Sequence, residues 1–229
     1  LAVPRDRRPF IGLLVGAGLI AVAGLAARPF SPDSVAAVLA AAGVAVLPLL
    51  PTVALRLTGL PLSAPEVERE RARTMASQAR GQLGWLLAGV TAAIVPAAGL
   101  LAFSDSGYAL MLSPVVGIAL ALRARAFRFA AEIVPLAAGG IAVLGVWVVA
   151  RAINSLQDGS LVVAVATVAL PAAVAIAVAL VAAGRLNAPA RETMLRRLEG
   201  LVLLAHIPLV VGQLGLFRIA ADLTRRLTE

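Results

Sequence analysis

The sequence contains no cysteine, which excludes a disulfide, a thiol nucleophile and a cysteine-ligated metal together. Histidine occurs once, as His206, so no metal-ligand cluster can be built from the usual donors. Lysine is also absent, and every cation in the chain is an arginine. Charge is scarce: 14% of residues are Asp, Glu, Lys or Arg, against about 25% in soluble domains. The chain has no phosphate loop, no GxSxG elbow and no paired intramembrane aspartate. No catalytic constellation and no cofactor site are therefore expected.

What the chain has in abundance is apolar surface. Hydrophobic residues make up 61% of its 229 positions, and the mean hydropathy is +0.96. A soluble core cannot hide that much apolar surface, whereas lipid solvates it. A net charge of +8 would point to nucleic acid in a soluble protein. Here the arginines sit in short clusters between apolar runs, as at membrane surfaces, so nucleic acid is not an expected partner.

A helix needs about 20 apolar residues to cross the hydrocarbon core. Runs of this kind lie near Phe10–Ala27, Val35–Leu55, Leu83–Phe103, Tyr108–Leu122, Phe129–Ala150, Leu161–Ala183 and Gly200–Phe217. The expected fold is an all-α integral membrane bundle of about seven transmembrane helices, forming a single transmembrane domain over residues 1–229. Tyr108–Leu122 is the shortest run and contains Ser113-Pro114. Phe10–Ala27 is longer than a signal-peptide core and is followed by Arg28-Pro29 in place of a small-residue cleavage site, so it reads as a true span. The chain opens at Leu1 and is expected to be a fragment or a processed product.

Arginine positions set the orientation. With residues 1–9 in the cytoplasm, seven crossings place fifteen arginines on the cytoplasmic side. Five remain on the other: Arg28, Arg151, Arg218, Arg225 and Arg226. The positive-inside rule then predicts a multi-pass protein of the inner membrane, N-terminus cytoplasmic and C-terminus extracytoplasmic. The aromatics form belts at both boundaries. Phe10, Trp85, Phe127 and Phe129 fall at the inner one, and Phe30, Phe103, Tyr108, Trp147 and Phe217 at or near the outer.

One connection, Arg56–Gln82, is long enough to hold structure and is predicted to be a cytoplasmic helical loop. Ser63 with Glu66 has capping-box spacing, and Pro65 suits a first turn. Glu66, Glu68 and Glu70 interleave with Arg69, Arg71 and Arg73, and Arg80 follows. Acid ahead of base complements the helix dipole, and Glu66–Arg69 and Glu70–Arg73 are i,i+3 partners. This predicts a charged helix running from Ala64 towards the third span. Its seven charged residues are candidates for contact with a partner, or else a solvated link between spans. Arg185–Glu199 is expected to form a second, shorter interfacial helix.

Within the spans, Gly12 and Gly16 have GxxxG spacing, and Ala36, Ala40, Gly139 and Gly140 offer further small-residue faces for packing. Pro48 and Pro51 should distort the inner end of the second span, while Pro96, Pro135, Pro171 and Pro208 lie inside others. His206 is expected to serve helix–helix hydrogen bonding, and Glu132 to snorkel towards Arg123–Arg128. A secondary transporter or permease is the alternative to a structural role. It would need a coupling acid near midplane, and the spans carry none there.

Two stretches carry a family resemblance. Leu47-Pro-Leu-Leu-Pro-Thr-Val-Ala-Leu-Arg-Leu-Thr-Gly-Leu-Pro-Leu62 ends a span and opens the charged loop. Arg196-Arg-Leu-Glu-Gly-Leu-Val-Leu-Leu-Ala-His-Ile-Pro-Leu-Val-Val-Gly-Gln-Leu-Gly-Leu-Phe-Arg218 closes the chain. Both resemble the EccD family, the polytopic membrane component of the type VII (ESX) secretion machine of actinobacteria. Ser77-Gln-Ala-Arg80 and Leu122-Arg-Ala-Arg-Ala-Phe-Arg128 occur in comparable places. The resemblance covers the chain as the C-terminal portion of a longer protein, with a ubiquitin-like domain and earlier spans ahead of it. It departs at Leu216-Phe217, where a tyrosine–aspartate pair is expected before the final arginine. The resemblance implies a non-enzymatic scaffold, paired with a second EccD protomer around a lipid-filled vestibule. It also implies assembly with EccB, EccE and the ATPase EccC.

Overall fold

The computed structural model describes residues 14–19, 31–57, 69–127, 129–157, 165 and 188–216, with backbone alone at 57, 69–76 and 188–192. Every regular element among these residues is helical. Residues 14–19 form a short helical stretch. It is followed by α1 (Pro32–Val46), a 3₁₀ turn (Leu47–Leu49), α2 (Leu50–Leu57) and α3 (Arg69–Ala102). Next come α4 (Gly107–Ala124), α5 (Ala130–Gln157) and α6 (Ala188–Gln213). Four stretches among the described residues are long and apolar enough to cross a membrane: Pro32–Arg56, Ser77–Ala102, Gly107–Ala124 and Ala130–Gln157. The expected spans near Val35–Leu55, Leu83–Phe103, Tyr108–Leu122 and Phe129–Ala150 fall on these four. Most of Phe10–Ala27 and nearly all of Leu161–Ala183 lie outside the described residues, as does Pro171.

Local chemistry explains the boundaries. Ser31 caps α1, its side chain accepting the Ser34 N–H, and Asp33 stands in the first turn. Pro48 and Pro51 cannot donate to an α-helical ladder. The backbone there tightens into the 3₁₀ turn, with the Leu50 N–H donating to the Leu47 carbonyl, before helix resumes. Two sequence expectations are refined. The charged segment and the third span are one uninterrupted helix, α3, of 34 residues. The basic segment before the expected last span, from Ala188 on, is likewise the opening of the 26-residue α6, which is not among the four apolar stretches. Ala64–Glu68 lies outside the described residues.

Contacts fix the relative directions. Gly43 of α1 meets Ile94 of α3, and Ser104, just after α3, donates to the Asp33 carboxylate; α1 and α3 are antiparallel. Gly84, Gly139 and Gly99 bring α3 and α5 together in parallel, through Ala131, Thr91 and Val146. Along α4 and α5, Trp147 meets Leu110 and Gly140 meets Gly117 and Ala121; this pair is antiparallel. The buried core runs between α1, α3, α4 and α5, with Leu87, Ile94, Leu112, Leu120, Leu136 and Val143 at its centre.

The α4–α5 seam rests on missing side chains. A Cβ on Gly140 would stand 2.8 Å from the Gly117 carbonyl oxygen and 3.0 Å from the Ala121 nitrogen. Only glycine permits that approach, and close backbones gain the dispersion that holds helices together in lipid. Residues 14–19 dock in the same way: a Cβ on Gly16 would lie 2.5 Å from the Gly89 carbonyl oxygen of α3. Gly12 lies outside the described residues.

Pro114 does not break α4. It has no N–H to give to the Leu110 carbonyl, which would be left orphaned in a medium without water. The Trp147 indole N–H of α5 donates to that carbonyl at 3.0 Å and replaces the missing bond. An aromatic expected at the boundary as a belt residue therefore also repairs the shortest span.

Candidate functional site

Polar side chains gather at the two ends of the bundle. One end joins α4 to α6 by charge. Arg123 donates to Glu199 at 2.6 Å, and Arg125, just past the end of α4, donates to the other carboxylate oxygen at 3.3 Å. All three side chains are partly shielded from solvent, which strengthens charge-assisted bonds relative to exposed pairs. Near the start of α5 the Arg80 guanidinium lies 4.5 Å over the Phe129 ring, a cation–π contact joining α3 to the residue preceding α5. At the other end the bonds between α4 and α6 are neutral. The Ser106 hydroxyl donates to Gln213 at 2.6 Å, and Tyr108 packs on Gly212, where a Cβ would stand 2.5 Å from the ring.

Between these two ends α4 and α6 pack on each other. Beside that contact a cavity of about 600 Å³ lies chiefly between α1 with the 3₁₀ turn and α6, with Ala119 and Arg123 of α4 on its wall. Its walls are alanine, valine, leucine, isoleucine and proline, apart from Arg123 and Glu199 and the deeper His206. Seven residues beyond Glu199, His206 sits about 10 Å further along the helix. It is buried, and its Nδ1 lies 3.1 Å from the Val202 carbonyl of its own helix. A carbonyl only accepts, so Nδ1 carries the proton and Nε2 is an acceptor. Nε2 is buried with no hydrogen-bond partner among the described residues. Among the described residues the histidine bonds within α6.

The other candidate residues fall as follows. Glu66 and Glu68 lie outside the described residues. Arg69, Glu70, Arg71 and Arg73 occupy the first turns of α3, and Arg80 is exposed on the same helix. Glu132, expected to snorkel, is buried, while Arg123 and Arg125 go to Glu199. Sequence reasoning overlooked Glu199. The available signal was its place as the acid closing a basic segment, on the same predicted side as Arg123–Arg128. Among the described residues, no group of three or more His, Cys, Asp or Glu could hold a metal ion.

Among solved structures, eight chains match this one. One is protomer 1 of the ESX-3 core complex, with a TM-score of 0.55 at 19% sequence identity. The match covers 95% of this chain and 59% of that one, so the chain spans well under two-thirds of its neighbour's length. At that identity the likeness speaks for the fold. No curated protein matches in sequence. The model of the EccD-like transmembrane domain matches residues 1–223, so this chain of apolar helices belongs to the EccD family.

Proposed function

We propose that this chain is a non-enzymatic scaffold subunit of the type VII secretion membrane complex, contributing to a conduit for protein export. Family membership over nearly the whole chain carries the reading. The likeness to a protomer of the ESX-3 core complex supports the same architecture. On this reading EccB, EccC, EccE and a second EccD protomer are the partners, and lipid surrounds the bundle. The N-terminus faces the cytoplasm and the C-terminus the opposite side, across seven crossings. Two features support that alternation. Arg123, Arg125 and Glu199 share one end of the bundle, and α5 ends opposite the end where α6 begins, which requires an odd number of crossings between them.

The start of α3 is then a cytoplasmic contact surface. Glu66, Glu68, Arg69, Glu70, Arg71, Arg73 and Arg80 are its charged residues, placed beyond or at the boundary of the Ser77–Ala102 span. Gly12, Gly16 and His206 serve packing within the bundle.

The test is purification of the tagged full-length protein from its own host in mild detergent, with mass spectrometry of what accompanies it. Recovery of an FtsK-type ATPase and further membrane subunits in a megadalton assembly is the expected outcome. Repeated recovery of a lone monomer or dimer would overturn the reading. A secondary transporter or permease would then take its place, with His206 and Glu132 the first residues to substitute.

A further inference from the structure

We propose that the cavity between α1, α4 and α6 is a binding site, within a single chain, for one anionic phospholipid. Its acyl chain would lie along the apolar walls and its phosphate on Arg123 and Arg125. The site is internal to one chain and so differs from the vestibule between protomers that the family resemblance implies.

The distribution of polarity carries the argument. Among the described residues the cavity wall is apolar but for His206 in its depth, and its ionised groups, Arg123 and Glu199, stand together at one end. An amphiphile with a single charged head has the same profile. Arg123 and Arg125 share one carboxylate, leaving one positive charge in excess within the trio. Each guanidinium has five N–H donors, and the bonds to Glu199 use one from each. The remaining donors and the excess charge complement a phosphodiester, which brings one negative charge and unshared oxygens. Basic pockets between transmembrane helices hold anionic head groups in this manner. A volume of about 600 Å³ lies within the roughly 300–1,000 Å³ typical of small-molecule sites. Ala42, Ala45 and Pro48 on its wall are exposed, so the cavity opens laterally.

The proposal needs only a bilayer and this chain, so its failure would leave the secretion reading standing. The test uses the full-length protein in its native assembly, exchanged into detergent with equal amounts of dioleoylphosphatidylglycerol and dioleoylphosphatidylcholine. Lipid retained per chain is then quantified by mass spectrometry. Phosphatidylglycerol should be retained over phosphatidylcholine by about fivefold, the ratio expected for one additional charge contact. Arg125→Gln should bring the ratio towards one while leaving a lipid bound. Ala45→Phe, which places a ring in the cavity from an exposed position, should remove about one lipid per chain. Equal retention of the two lipids by the unaltered protein would overturn the proposal. So would phosphatidylglycerol retention unchanged in both variants. Should Ala45→Phe lower the unfolding temperature, Arg125→Gln, at the exposed end of the bundle, still decides the matter.

Discussion

The two faces of α4 hold their neighbours by different means. Towards α5 the helix presents Gly117 to Gly140, and the backbones meet directly with Trp147 bridging to Leu110. Towards α6 it is pegged at its ends, by Arg123 and Arg125 to Glu199 and by Ser106 to Gln213, with side chains packed between the pegs and open volume beside them, towards α1. In lipid, where apolar contact between helices brings no hydrophobic gain, close packing and polar bonds are the two available devices. A seam gives a rigid pair. Pegs hold two helices in register through side chains, with room for something else beside them.

The seam should break first. Gly140→Ala puts a methyl against the Gly117 carbonyl and should destabilise the protein by about 2 kcal/mol. Gly145→Ala, on the same helix with nothing within 4 Å of the new atom, should be neutral or gain about 0.5 kcal/mol. Thermal unfolding of the two variants in the same detergent checks both, and equal losses would show that the seam is not where α5 is held.

Next in size is the indole bridge. Trp147→Phe should cost about 1–2 kcal/mol, because it orphans the Leu110 carbonyl that Pro114 cannot serve. In a Pro114→Ala background the helix supplies its own N–H, and the same substitution should cost visibly less. A loss undiminished by the alanine would mean that Trp147 acts through packing alone.

The smallest effects belong to the pegs. A double-mutant cycle between Arg123→Ala and Glu199→Ala should return a coupling of about 1 kcal/mol, since the pair is only partly shielded. The Ser106–Gln213 cycle should give about 0.6 kcal/mol, the usual worth of a neutral interhelical bond in a membrane. If the pegs together outweigh Gly140→Ala, the contrast between the two faces is reversed.

Much of this bundle is legible in the sequence because each signal is local. Apolar runs mark the helices, and Pro48 with Pro51 marks the 3₁₀ turn. The continuity of α3 is half legible: the charges of Glu66–Arg80 announce a helix heading for the span, but not that the two join without a break. What stays hidden is pairwise. Glu199 and Arg123 are 76 residues apart, and nothing near either names the other. Gly140 and Gly145 are the same residue on one helix, yet a Cβ fits only at the second. The cavity leaves no mark, because an alanine- and valine-rich helix reads alike whether its face meets a neighbour or empty space. Pro114 shows the limit from the other side. By itself it argues against a helix, and the residue that answers it lies 33 positions away.

The unbroken α3 has a mechanical consequence. At 1.5 Å per residue its 34 residues form a rod about 51 Å long, of which the eight that precede the Ser77–Ala102 span make up about 12 Å. Ahead of Pro96 that rod has no proline at which to absorb a tilt. Whatever grips the projecting end therefore has leverage as far as Pro96, including the stretch from Gly84 to Thr91 that lies against α5. A pull on the outside reaches the middle of the bundle without any residue between having to change its conformation.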